Sequence, residues 1–189
     1  MRVEPKVLRD VPWYLRPFFW NQRRKYGQPL EPALVWARRS RLFVAVAFLY
    51  GMIDCRRSPL SPAIRSLVTV RVSQINHCRF CIDINSATLA RRSGSMDKVH
   101  ALENWHDSEL FTPEERAILA YTEAVTVSDS EVTDEMVEEL KRHMDDDGVV
   151  ELTALIAFQN LSSKFNSALD VPPQGFCYSP GPGAKLADK

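Results

Sequence analysis

Thr112-Pro113-Glu114-Glu115 can open a helix and little else. The Thr hydroxyl is placed to accept the Glu115 amide, and the Glu115 carboxylate to accept the Thr112 amide. Pro113 presets the first helical φ at a position whose N–H would go unpaired anyway. Ile118, Leu119, Tyr121 and Val125 follow on one stripe, which predicts a helix ending near Val127. Ser61-Pro62 repeats the device, with Ser as N-cap and Pro at the first helical position. Ile64, Leu67, Val68, Val72 and Ile75 supply its apolar stripe. The β-branched run Val68-Thr69-Val70 would suit a strand, but the cap and the three-to-four spacing favour a helix. Thr133-Asp134 starts a third, with Met136, Val137 and Leu140 inward.

The same reading extends along the chain. Residues 1–30 are rich in Pro and aromatics and form an irregular arm with one short helix near residues 14–25, closed by Gly27. Trp13, Phe18, Phe19 and Trp20 are too apolar to stay in water, so they pack on the body or on another subunit. Pro32 opens a long helical pattern towards Ile53. Met96 to Leu102 forms a short helix, and His106-Asp107-Ser108 a loop. Asp145-Asp146-Asp147-Gly148 reads as a turn without calcium-loop spacing. A helix then runs from about Val149 to Ala168, with Leu152, Leu155, Ile156, Phe158 and Leu161 inward. No repeat and no β-hairpin is visible. The expectation is an all-α bundle of about six to eight helices over residues 31–170, between the arm and an irregular tail at 171–189.

Asn76 to Asn85 holds the chemistry. Cys78 and Cys81 stand three residues apart at the start of a predicted helix that Gly94 stops. Positions i and i+3 share a helix face, so the two sulfurs can meet and form a disulfide. A thiol in the first turn also feels the positive end of the helix dipole, which favours the reactive thiolate. Arg79 adds positive charge. The pattern points to a redox-active dithiol. Zinc, with His77, Cys55 or Cys177 completing the ligands, is a weaker reading, because one CxxC lacks a second close pair. No cofactor or metal is expected.

The longest apolar run, Leu42 to Ile53, is about a dozen residues, too short to span a bilayer. No apolar leader segment is visible either, so a reducing, cytoplasmic setting is expected, where a CxxC is catalytic or metal-binding more often than a staple. The net charge is zero but polarised. Residues 1–70 hold 13 Lys/Arg against 4 Asp/Glu, and residues 95–151 hold 4 against 17. The basic residues alternate with Trp, Phe and Leu and form no long cluster. That favours a basic part docking on an acidic part, within a subunit or between subunits, over nucleic-acid binding. His100, His106 and His143 have no sequence partners and are expected in water.

Several blocks occur in a telling order. Arg65-Ser66-Leu67-Val68-Thr69-Val70-Arg71-Val72-Ser73 leads into Cys78-x-x-Cys81. Leu89-Ala90-Arg91-Arg92-Ser93-Gly94, Thr112 to Ala120, and Glu151-Leu152-Thr153 through Phe165-Asn166 follow. Over roughly residues 35–170 this succession resembles the carboxymuconolactone decarboxylase / AhpD-like alkylhydroperoxidase family. The resemblance implies an all-helical fold and homo-oligomers, commonly trimers or hexamers. In the AhpD branch it implies a dithiol that reduces small hydroperoxides and is re-reduced by a partner thiol protein. By position, Cys81 matches the thiol that meets peroxide and Cys78 the thiol that resolves it.

Two positions depart from the AhpD pattern. A histidine four residues after the second cysteine is here Asn85, and a glutamate twelve residues before the first is here Ser66. Those two residues form the family's proton relay, and neither Asn nor Ser is a general base near neutral pH. His77 and Asp83 are the nearby substitutes, although Asp83 falls on another helix face. The alternatives are therefore a cofactor-free decarboxylase or lactone-handling enzyme, as in the family's other branch, and a helical oligomer without catalysis.

Overall fold

The computed structural model describes residues 1–177. Among them the regular structure is helical throughout: α1 Arg16–Tyr26, α2 Glu31–Trp36, α3 Ser40–Ile53, α4 Pro62–Ile75, α5 Arg79–Ser93, α6 Asp97–Ala101, α7 Pro113–Thr126, α8 Asp134–Lys141 and α9 Asp146–Ala168. The all-α, AhpD-like architecture read from the sequence is the architecture found. Among the described residues, no helix is long and apolar enough to cross a membrane.

The predicted caps are in place. Ser61 Oγ accepts the Ile64 amide at 3.2 Å. Thr112 and Glu115 exchange both bonds of the capping box, at 3.2 and 2.9 Å. Gly27 and Gly94 end α1 and α5 at φ 77° and 73°, where a side chain would be strained.

Three elements differ from expectation. The 31–53 pattern is broken by a 3-10 turn, Ala37–Arg39, because Arg39 leaves helical geometry at φ −122° and ψ 78°. The acidic run is no separate turn: Asp145 caps the Gly148 amide at 2.9 Å, and α9 starts at Asp146. His106 and Asp107 lie in a 3-10 helix, Leu102–Asp107, in place of the expected loop.

α4 is the axis of the core. It packs against α5, α7 and α9, and Leu67, Val68, Val70 and Val72 are each at most 1% exposed. Burial on every side explains why a β-branched stretch tolerates the helix: packing outweighs a local preference of a few tenths of a kcal/mol. Leu152, Leu155 and Ile156 of α9 close the core from the other side, whereas Leu161 is exposed, contrary to expectation. In the arm, Phe19 stacks on Phe43 at 5.6 Å and is buried, but Trp13 and Trp20 remain exposed.

One charge centre lies inside. Arg65 is buried and pairs with Asp54 at 2.8 Å; Arg92 reaches the same carboxylate at 3.2 Å. Burial raises the Asp54 pKa, but Arg92 and Arg65 outweigh it, and the net shift is below its ordinary 3.8. Asp54 ionisation thus contributes stability that is present above pH 3.8 and lost as pH falls below it. Removing the acid strands a buried guanidinium. Asp54→Asn is expected to cost about 3 kcal/mol at pH 7 and to flatten the loss of stability below pH 4, both read by urea unfolding.

Candidate functional site

The site is built where α4 hands over to α5. The Asn76 amide closes on the Val72 carbonyl at 3.0 Å and the Cys78 amide on the Ser73 carbonyl at 3.0 Å. His77 lies between them in the left-handed region, at φ 51°. That single turn reverses the chain and sets Cys78 as the N-cap of α5. The Cys81 amide donates to Cys78 Sγ at 3.2 Å, and the two cysteines are joined by a disulfide with their Cα atoms 5.2 Å apart. Both are buried, at 1% and 2% exposure.

The two sulfurs have different surroundings. Cys81, and not Cys78, lines a cavity of about 280 Å³ between α1, α2, α3, α5 and α9. Its walls are apolar and aromatic, with Phe18, Trp36, Phe43, Phe80 and Phe158 among them. The polar lining is largely amide: Asn21, Gln22, Asn85, Gln159 and Asn166. Lys25 is the one charged side chain in the lining, and no carboxylate or imidazole from the described residues reaches it. Asn166 Nδ2 donates to Cys81 Sγ at 3.3 Å. Each sulfur therefore has one N–H donor, from the helix start for Cys78 and from α9 for Cys81.

The two positions that depart from the relay pattern serve other bonds. Asn85 Nδ2 donates to Ser73 Oγ at 3.2 Å. Ser73, fully buried, also accepts Gln159 Nε2 at 3.0 Å and donates to the Thr69 carbonyl at 2.5 Å. Ser66 Oγ accepts Arg92 at 3.0 Å. Ser66 and Asn85 meet only across a smaller cavity of about 60 Å³, which Tyr50 and Asp54 also line. Tyr50 donates to Asp54 at 3.1 Å. A carboxylate does stand near the family's acid position, but it comes from the end of α3. Arg65 was the available signal in the sequence: an Arg inside an apolar helical stripe needs a counter-charge.

The other named residues are not brought to the sulfurs. His77 is exposed, and none of its side-chain atoms bonds the dithiol. Asp83 is buried on a different face of α5, where it accepts the Gln174 amide at 2.9 Å and the Cys177 amide at 2.8 Å. It anchors the start of the tail. Phe176 then packs edge-on against Phe80 and Tyr26, and Gln174 accepts the Glu31 amide at 3.0 Å. Residues 171–177 thus strap the arm to the dithiol helix; the rest of the predicted tail lies outside the described residues. Burial first, and Asp83 second, push the Cys177 thiol up, away from thiolate. His106 is exposed, as expected, but it also stacks on Trp105 at 3.7 Å and faces Glu123 at 3.4 Å. No cluster of metal-ligating residues occurs among the described residues, and no ion pair there links residues 1–70 to residues 95–151.

Comparison with known proteins gives a consistent frame. The sequence pattern described as the carboxymuconolactone decarboxylase family matches residues 43–124. The uncharacterised protein YnjA of Escherichia coli strain K12 is 45% identical over 173 residues, 92% of this chain and 95% of that protein. Among solved structures, an uncharacterised peroxidase-related protein from Ralstonia eutropha JMP134, described as an alkylhydroperoxidase AhpD core, superposes with a TM-score of 0.84. It is 23% identical, with 93% of this chain and 94% of that chain covered. The debrominase Bmp8 in its apo form gives 0.81, at 24% identity and 93% coverage of both chains. At those identities the two structures speak for the fold.

The strap has a direct consequence. Asp83→Ala leaves two inward-facing amides without an acceptor. It is expected to cost about 2 kcal/mol and to speed hydrogen exchange at Gln174 and Cys177, with exchange at Leu67 and Val68 following only the global change.

Proposed function

The chain belongs to the carboxymuconolactone decarboxylase family, which includes enzymes, and from that premise we propose that it is a dithiol peroxidase of the AhpD-like kind. One observation carries the reading: of the two bonded sulfurs, Cys81 and not Cys78 lines the described cavity between the helices, which is large enough for a small organic molecule. In the reduced protein the Cys81 thiolate attacks the outer oxygen of a hydroperoxide. The S–O bond forms, the O–O bond breaks, and the alkoxide leaves and takes a proton from water. Cys78 then attacks the sulfenic sulfur, expelling the oxygen as water, and the disulfide closes. An external dithiol protein supplies the two electrons that reopen it. The apolar walls favour a hydroperoxide with an alkyl or aryl group over hydrogen peroxide itself.

Asn85 and Ser66 cannot relay a proton. Cys81 can do without a base: its place in the first turn of α5 and the Asn166 N–H favour the anion directly. The same absence of acid and base groups counts against the decarboxylase alternative, which needs them.

The proposal extends to assembly. Outer residues of α3 stay exposed in a single chain, with Phe48 at 69%, Met52 at 58% and Leu42 at 52%. A stripe of that kind is covered in a stable soluble protein. With no ion pair between the basic and acidic parts inside the chain, a second copy is the partner that suits both the stripe and the charge. A homo-oligomer, trimer or hexamer, is therefore proposed. Phe48→Glu is expected to reduce the light-scattering mass to that of one chain, and an unchanged mass would refute this interface.

The activity test uses stopped-flow consumption of cumene hydroperoxide by reduced protein. Cys81→Ser should abolish turnover. Cys78→Ser should consume one equivalent and stop at a sulfenate that dimedone traps. The rate should rise with pH through one ionisation only, that of the Cys81 thiol. Undiminished turnover by the Cys78→Ser, Cys81→Ser double variant would end the proposal.

A further inference from the structure

Asn166 is the least explained polar group in the cavity. It lies near the end of α9, is 2% exposed, and lines the cavity beside Cys81. Its Nδ2 is used, on Cys81 Sγ at 3.3 Å. Its Oδ1 is buried and has no partner among the described residues. An amide carbonyl left so loses the hydrogen bonds it had in water, a cost a native site keeps only with a reason. The orientation of this amide is not free. A sulfur in a disulfide or a thiolate can accept but not donate, so the NH2 must turn to sulfur and the carbonyl away from it. The outcome is an acceptor oxygen held one amide group from the reacting atom, in a chamber whose walls are largely aromatic and aliphatic.

We propose that Asn166 bridges the reacting sulfur and the substrate, its NH2 holding the Cys81 thiolate while its carbonyl accepts the O–H of an organic hydroperoxide. This assignment rests on the dithiol-peroxidase reading and adds to it the residue that orients the substrate. A hydroperoxide R–O–O–H carries its one donor on the outer oxygen, which is the oxygen sulfur attacks. A carbonyl that accepts this hydrogen therefore delivers the correct oxygen, with R directed into the apolar chamber. As the S–O bond forms and the O–O bond breaks, that hydrogen stays on the transferred oxygen. The sulfenic S–O–H keeps both contacts until Cys78 displaces its oxygen as water. The alkoxide R–O⁻ leaves on the far side and is protonated by solvent. Compounds of the same shape without an O–H leave the carbonyl unpaired and are held more weakly.

Two measurements test the bridge, and they separate its failure from that of the peroxidase reading. The first asks nothing of turnover or of any variant. Wild-type oxidised protein is titrated with 2-phenyl-2-propanol and with its methyl ether, following Trp fluorescence, since Trp36 lines the same cavity. The alcohol is expected to bind about tenfold tighter, the size of one buried hydrogen bond; equal affinities would overturn the carbonyl's role. The second uses Asn166→Leu, of similar volume with neither polar atom, and Asn166→Asp, which keeps acceptor oxygen and loses the donor. In a Cys78→Ser background, the pH dependence of Cys81 alkylation by iodoacetamide should shift up by about one unit in Asn166→Leu and by more in Asn166→Asp. With Cys78 intact and turnover measured, the KM should rise in Asn166→Leu for cumene hydroperoxide and for hydrogen peroxide, which carries the same O–H on the attacked oxygen. Unshifted alkylation together with an unchanged KM would refute the bridge. If wild type consumes no hydroperoxide, the peroxidase reading fails by itself, and the alcohol–ether comparison and the alkylation shift still decide whether Asn166 holds sulfur and donor.

Discussion

The bond from the Cys81 amide to the Cys78 sulfur ties the fold to the chemistry. It is a helix cap in which sulfur replaces the usual hydroxyl or carboxylate. The same contact that starts α5 places one sulfur at the positive end of the helix and the other a turn along, facing the cavity. Everything upstream serves that placement. α4 must be buried and straight, its last carbonyls must take the amides of Asn76 and Cys78, and His77 must accept a left-handed backbone. That conformation costs a non-glycine residue about 1 kcal/mol. It is tolerated because the two closing bonds and the packing of α4 on α5 over-determine the turn.

Around this cap the polar groups divide into two sets with little between them. One set is charged and distant from sulfur: Asp54, Arg65 and Arg92, with Ser66 and Tyr50 bonded to its edges. The other set is neutral: Ser73, Asn85, Gln159 and Asn166, which reach from the core to Cys81. A glutamate at Ser66 and a histidine at Asn85 would join the sets into a path for protons. Here the first position is occupied by a salt-bridge ligand and the second by an amide donor. The chain has exchanged titratable groups at the thiol for fixed dipoles. Dipoles can stabilise an anion without having a pKa of their own, and they make chemistry at sulfur less dependent on neighbouring ionisations.

Local signals made much of this legible in advance. Ser61-Pro62, the Thr112 capping box and the glycines at 27 and 94 marked helix ends that depend on a few adjacent residues, and the structure has them there. The pairing of Cys78 with Cys81 followed from helical spacing. Features made by distant residues were not visible. Asn166 lies 85 positions from Cys81, and nothing in its neighbourhood distinguishes it from a surface amide. Asp83 was seen to point away from the dithiol, but its partners at 174 and 177 arise from a tail with no periodicity. Leu161 fitted the inward stripe of α9, yet it faces outward, while Ser163 and Asn166 further along the same helix are buried. Trp13 and Trp20 are apolar by composition, yet exposed among the described residues, because the arm's own packing buries Phe19 instead.

The account stands on a two-electron exchange confined to Cys78 and Cys81. Reduced protein treated with one equivalent of cumene hydroperoxide per chain, then alkylated and mapped by mass spectrometry, tests it most directly. The prediction is the loss of two thiols per chain, one Cys78–Cys81 bond, and Cys55 and Cys177 recovered alkylated. Four free thiols after treatment, or a bond that includes Cys55 or Cys177, would contradict it.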